Sequence, residues 1–206
     1  MRTALAALLA LLATVGGEAA TPGPVGWRLA REVDGVVAWT AETQDEFWGY
    51  ARGRVQAPPD AIFDRIGNFE SLPAVYPWLD RVQVLERGDH TALVYFHYDL
   101  PWPLSDRSYT ARHRWHTDPG GTIVLDVEEE NGASPPADGA VHVENVLAQI
   151  VLAPVDGGAA SDVGYLFRAD LAGMLPRTVR AQTAWKVPLN VVLSMRTSLE
   201  PRFAHR

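Results

Sequence analysis

The side chains with chemistry to offer are a few histidines, a set of tyrosines and one arginine at the head of a strand-like run. His97 stands in Thr91–Tyr98, TALVYFHY, and His113 in Ser108–Thr117, SYTARHRWHT, which Arg107 immediately precedes. Imidazole carries a proton near neutral pH, and guanidinium presents a planar fork of donors to carbonyls or anions. Extended backbone alternates its side chains. Arg107, Tyr109, Ala111, His113 and Trp115 therefore fall on one face, and Thr110, Arg112, Arg114 and His116 on the other. A register slip of one residue would exchange His113 for Arg112 on the buried side. Arg107 has two readings: a cation lining a pocket, or a fork tying the turn Pro101-Trp102-Pro103 to the sheet through carbonyls or Asp106. His113 also has two, a hydrogen-bonding group within a pocket and an ordinary core or surface histidine.

Acid–base catalysis needs matched groups side by side. The sequence offers His97, His113 and nearby tyrosines, with no visible pairing. His113 and His116 lie on opposite faces and cannot share a metal, and His97, His113 and His142 lie on three strands without a carboxylate pattern beside them. Glu128–Glu130 reads as a solvated strand end. There is no Gly-x-Ser-x-Gly elbow, phosphate loop or dinucleotide fingerprint. Cysteine is absent, which removes disulfides, thiolate catalysis and cysteine metal ligands. No catalytic residue, metal or cofactor is expected.

The elements that position these residues are mostly strands. Val36–Gln44, Phe47–Gln56, Arg81–Arg87, Thr91–Tyr98, Ser108–Thr117, Thr122–Glu130, Val141–Leu152 and Val163–Ala169 read as strands, with Pro154 ending the seventh. Phe47–Gln56 shows a face of small residues, Gly49, Ala51 and Gly53, suited to close packing and to curvature. Ala57-Pro58-Pro59-Asp60 stops that strand and opens a helix carrying Ile62, Phe63 and Ile66, and Leu72–Leu79 is a second, broken element with Tyr76 and Trp78. Asp99–Arg112, DLPWPLSDRSYTAR, turns the chain between a strand apolar on both faces and one that alternates. Leu175–Leu199 repeats apolar residues in steps of three and four, a long amphipathic helix with Pro188 expected to kink it. These are the parts of an α+β protein: a curved antiparallel sheet of about eight strands wrapped on a long C-terminal helix, with an apolar cavity between them.

Composition fits. The chain has 206 residues, 47% hydrophobic and 21% charged, enough for one domain with a sizeable core. A net charge of −7 without a basic run argues against nucleic acid and anionic membrane surfaces as partners. Seven tryptophans suggest large buried contacts or an aromatic-lined pocket. Arg2 followed by Ala4–Val15, with small residues at Gly17 and Ala19, reads as a signal peptide over 1–19, cleaved after Ala19 or Ala20. A linker over 20–26 and one domain over 27–206 follow, in a periplasmic or secreted setting.

Several motifs carry a family resemblance. They are Trp27-x-Leu29 with Asp34-Gly35-Val36 and Trp39, Ala57-Pro58-x-x-x-Ile62-Phe63, Pro101-Trp102-Pro103-Leu104-Ser105-Asp106-Arg107-Ser108-Tyr109, Leu152-x-Pro154, Val163-x-Tyr165, Ala169-Asp170 and Gly173-x-Leu175-Pro176. In order and spacing the chain resembles bacterial START (StAR-related lipid-transfer) domains of the helix-grip superfamily, over roughly Trp27 to Leu199. Ser108 stands where the family usually has an acid, and Asp170-Leu171-Ala172-Gly173 where it usually has Asp-Pro-Gly-Gly. The resemblance implies a lipid or other hydrophobic small molecule held inside, transient membrane contact, no nucleic acid and a monomer. The ligand-binding residues expected from it and from the strand parity are Tyr95, His97, Trp102, Arg107, Tyr109, His113, Tyr165, Phe167, Trp185, Val192 and Met195. Met174 joins the last three as a candidate for the lid. The alternative is a cyclase- or hydrolase-like enzyme of the same superfamily acting on an aromatic or polyketide substrate.

Overall fold

The strand-like runs pair into a single curved, open sheet in a computed structural model that describes residues 26–43, 46–74, 76, 78–100, 105–130, 132, 139–171 and 175–199. The expected signal peptide over 1–19, Trp102 and Met174 lie outside the described residues. The described strands are β1 (Arg28–Val33), β2 (Val36–Thr43), β3 (Glu46–Val55), β4 (Arg81–Arg87), β5 (Thr91–Tyr98), β6 (Arg107–Thr117), β7 (Ile123–Glu129), β8 (Val141–His142), β9 (Glu144–Val155) and β10 (Ala160–Asp170). They form one ten-stranded sheet in the order β1-β2-β3-β10-β9-β7-β6-β5-β4, with β8 off this path beside β6. Neighbours are antiparallel except β6 and β8.

Ten strands form where about eight were expected, for two reasons. Arg28–Val33, directly after Trp27, adds an edge strand, β1. The run expected over Val141–Leu152 divides at Val143: Val141 and His142 pair parallel with Arg107 and Ser108, whereas β9 pairs with β7 and β10. Asn145, at φ 53°, sits where the β9–β10 pairing is irregular, between the Glu144–Asp170 and Leu147–Arg168 pairs. Pro154 does not end β9. It pairs with Ser161 of β10 beyond the point where β7 stops, opposite Leu152.

Helix α1 (Pro59–Gly67) and the 3-10 turn Phe69–Ala74 carry the chain from β3, in the middle of the sheet, to β4 at its far edge. Pro59 opens α1, where a missing N–H is harmless, and Asp60 complements the first turn. Ile62 and Ile66 are buried, and Phe63 lies 5.5 Å from Trp115. Helix α2 (Arg177–Leu199) buries Ala184, Leu189, Val192 and Met195 and remains helical through Pro188. Pro188 has no N–H for the Ala184 carbonyl four residues back. That carbonyl packs directly on Gly49 of β3, where any Cβ would collide with it. Gly49 and Pro188 therefore form a matched pair, and the small face of β3 serves the close approach of the helix backbone.

The inner face of the sheet carries two cores. The larger joins Ala38, Ala51, Val55, Ala111, Leu125, Ile150 and Val163 to Leu189, Val192 and Met195 of α2. The smaller joins Ala92, Val94 and Phe96 of β5 to Phe69, Leu72, Tyr76 and Leu79. The outer face has its own aromatic cluster, Trp39 stacked on Tyr50 at 5.5 Å with Leu166 beside them. Arg196, buried near the end of α2, donates to the Asp34 carbonyl in the β1–β2 turn.

Candidate functional site: the tyrosine seam of the inner face

Tyr109, Trp115 and Val191 pack against both inner cores, so the seam between the cores is where the inner face changes character. Strand pairing builds it. Phe96 lies opposite Tyr109 across β5 and β6, and their rings stack at 5.1 Å. Tyr98, two residues on, shares that face, and its ring stacks on Tyr109 at 5.8 Å. The two phenol oxygens are 3.0 Å apart, one hydroxyl donating to the other. Tyr165 reaches the same region from β10, with Phe167 6.3 Å from it. Burial pushes the phenols of Tyr76, Tyr98, Tyr109 and Tyr165 above their ordinary range; neighbouring phenols reinforce the shift of Tyr109 and Tyr165, whereas the hydrogen bond with Tyr109 opposes that of Tyr98. All four stay neutral at physiological pH. Tyr98, Tyr109, Tyr165, Phe167 and Trp185 are nevertheless only half-buried by surface.

His113 faces this side, and Arg112 the other. His113 is 5% exposed, with Phe69 at 4.8 Å and Phe96 at 5.6 Å, and its Nδ1 lies 3.2 Å from the Ala111 carbonyl. Desolvation lowers its pKa from 6.5 to about 4, so it is a neutral imidazole boxed by rings. Arg112 lies on the outer face, donating to Glu130 at 2.7 and 2.9 Å and to Glu86 at 2.7 Å.

Arg107 shares the parity of Tyr109 and is buried. Its Nε donates to the Leu171 carbonyl at 3.0 Å, and its Nη1 to the carbonyls of Ser105 and, at 3.3 Å, Asp106. Of its two sequence readings, these contacts make the tie. The guanidinium joins the β5–β6 connection to the segment between β10 and α2, and burial lowers its pKa.

Two expected residues fall elsewhere. Tyr95 and His97 are on β5 but on the face opposite Phe96 and Tyr98, so the structure does not bring them to the seam. β5 is apolar on both faces, and pattern alone does not say which is inner. His97 meets carboxylates of the outer side instead, Nδ1 lying 3.2 Å from Asp80 Oδ2 and Nε2 3.8 Å from Asp106 Oδ2. Val192 and Met195 are fully buried in the larger core, and Trp185 packs at its margin. Phe167 also lines a small cleft with Phe47, Arg168, Arg180 and Thr183 near the start of α2. Tyr76 and Tyr98 were absent from the expected site. The alternation of Tyr98 with Phe96, opposite Tyr109, was the signal that could have found Tyr98; Tyr76 has no periodic neighbour. Among the described residues no cluster of three or more His, Asp or Glu could hold a metal. No helix among them is long and apolar enough to cross a membrane.

Comparison with known proteins agrees with this architecture. Residues 55–149 match the family model described as polyketide cyclase / dehydrase and lipid transport. An uncharacterized protein of Pseudomonas aeruginosa is 22% identical over 93% of this chain and 96% of its own length. The crystal structure of the STAR-related lipid transfer protein from Xanthomonas axonopodis superposes with a TM-score of 0.77 at 22% identity, covering 84% of this chain and 98% of that one. The lipid transfer and protein localization domain of human StarD13 gives 0.74 at 20% identity, covering 85% and 90%. The Zhui aromatase/cyclase of a Streptomyces species gives 0.52 at 16%, covering 75% and 95%. The chain therefore has the fold of the START-type helix-grip proteins, and its residues 55–149 match the family model described as polyketide cyclase / dehydrase and lipid transport.

Proposed function

We propose that the protein binds and transfers a lipid or other hydrophobic small molecule, held in a cavity between α2 and the inner face of the sheet. One observation carries this reading. Large aromatic side chains at the seam keep accessible surface although helix, 3-10 turn and sheet enclose them and burial dominates their titration. A finished core would bury such rings completely. At about 25 cal/mol per Å², burying about 400 Å² of ligand would contribute about 10 kcal/mol before the losses of association. The family description and the lipid-transfer neighbours support the same reading. The residues proposed to contact the ligand are Tyr98, Tyr109, Tyr165, Phe167 and Trp185, with Trp102 and Met174 proposed from sequence. The seam's one imidazole, His113, is boxed and neutral, which favours binding over the cyclase- or hydrolase-like alternative.

The proposal extends to the setting. Residues 1–19 have the layout of a signal peptide, which supports export to the periplasm or beyond. There the protein acts as a monomer in transient contact with membranes. Native mass spectrometry of protein purified from its own compartment tests all of this together. The expected result is a shortened N-terminus and one co-purifying apolar molecule per chain. Protein that is always empty, and that takes nothing from liposomes, would overturn the binding reading. Turnover of an aromatic polyketide would support the enzyme reading instead.

A further inference from the structure

The seam carries an inference that rests on the interior-binding reading and concerns which molecules the interior accepts. Four of the six tyrosines in the chain, Tyr76, Tyr98, Tyr109 and Tyr165, meet there. In the Tyr98–Tyr109 pair one hydroxyl donates, so the pair still has one proton to give and lone pairs to accept with. The Tyr165 hydroxyl makes no hydrogen bond among the described residues. Nor is it one of their sealed, unpartnered polar atoms, so it faces open space.

The charges around the seam do not favour an anion. Arg107 is engaged with three backbone carbonyls. His113 is neutral in its aromatic box. The acid that strand parity puts on this face, Glu129 opposite Ala111, accepts from the Val146 N–H at 3.3 Å. A carboxylate or phosphate held at these phenols would lose hydration and gain no free charge from Arg107 or His113; Arg180, whose Nε is buried without a partner, lies past Phe167 in the cleft near the start of α2. An alcohol or ketone oxygen loses less and exchanges water for phenol hydrogen bonds. We infer that the tyrosine seam selects uncharged apolar molecules bearing a hydroxyl or carbonyl oxygen, holds that oxygen on Tyr109 and Tyr165, and discriminates against alkyl carboxylates and phosphates.

The test is uptake from phosphatidylcholine vesicles of hexadecane, hexadecanol and palmitate, under alkaline conditions where palmitate is ionised, read by native mass spectrometry. Wild-type protein should retain hexadecanol about 10-fold over both other probes. Tyr109→Phe and Tyr165→Phe should each lower hexadecanol uptake about 5-fold and leave hexadecane unchanged. Tyr165→Phe removes a hydroxyl with no bonded partner among the described residues, so it keeps the test open should Tyr109→Phe fail to fold. Equal uptake of the three probes, a preference for palmitate, or variants that keep the wild-type preference would overturn the selectivity while leaving interior binding intact. A folded protein that takes up none of them would overturn interior binding and this inference together.

Discussion

The same inner face is built in two ways. Where α2 crosses β3 the approach is close, the Ala184 backbone carbonyl resting on Gly49 and the Val192 side chain against Gly53. Where side chains of β5, β6 and β10 converge, the face is made of large rings with polar tips that keep accessible surface. The first region has no room for a methyl group, and the second has not closed over its own side chains. A helix gripped tightly on one side can roof the other side without filling it. The difference teaches that packing density and binding capacity are divided between two ends of one face.

Each part of that contrast can be broken. Gly49→Val should be the most damaging change, since the clash is with helix backbone and no side chain can swing away. A loss of about 4 kcal/mol or more is expected in urea unfolding. Wild-type-like stability would mean that the helix is not clamped there. Acid should act next, through the seam. His113 titrates near 6.5 when unfolded and about 4 when folded, so the unfolded state binds the extra proton between those values. Its contribution is therefore fully present above about pH 6.5 and lost as pH falls toward about 4, by roughly 3 kcal/mol in all. His113→Leu should flatten that part of the stability–pH curve, and an unchanged slope would remove His113 as its cause.

Smaller effects should separate the seam from the outer surface. Tyr98→Phe removes one buried hydrogen bond and should lower stability by about 1 kcal/mol, measured by thermal unfolding. A much larger loss would mean that the seam is packed as tightly as the β3–α2 contact. Arg112→Gln breaks a solvent-screened network with Glu86 and Glu130 and should cost no more than about 1 kcal/mol, shrinking further in high salt. A large, salt-independent loss would show that the outer face carries more of the fold than its exposure implies.

Much of this was legible in the sequence. Period-two alternation placed β6 with Tyr109 and His113 on one face and Arg112 on the other, and the register with β5 and β7 keeps that parity. Pro59 and Asp60 marked the start of α1, and three- and four-residue steps marked α2. The small residues of β3 were visible, though only the packed helix shows what approaches them. Where pattern was silent, expectation went astray. β5 is apolar on both sides, so Tyr95 and His97 were expected at a site from which their face turns them away, and Tyr98 was passed over.

Local rules thus determined the elements, their order and the parity of the alternating strands, because side-chain period depends only on neighbouring residues. Contacts between distant residues needed the folded chain. One partner of Arg107 is a carbonyl 64 residues away, Tyr165 joins Tyr109 only because the sheet curls, and Gly49 and Pro188 explain each other only when helix and strand touch. No periodicity in the sequence encodes those three facts.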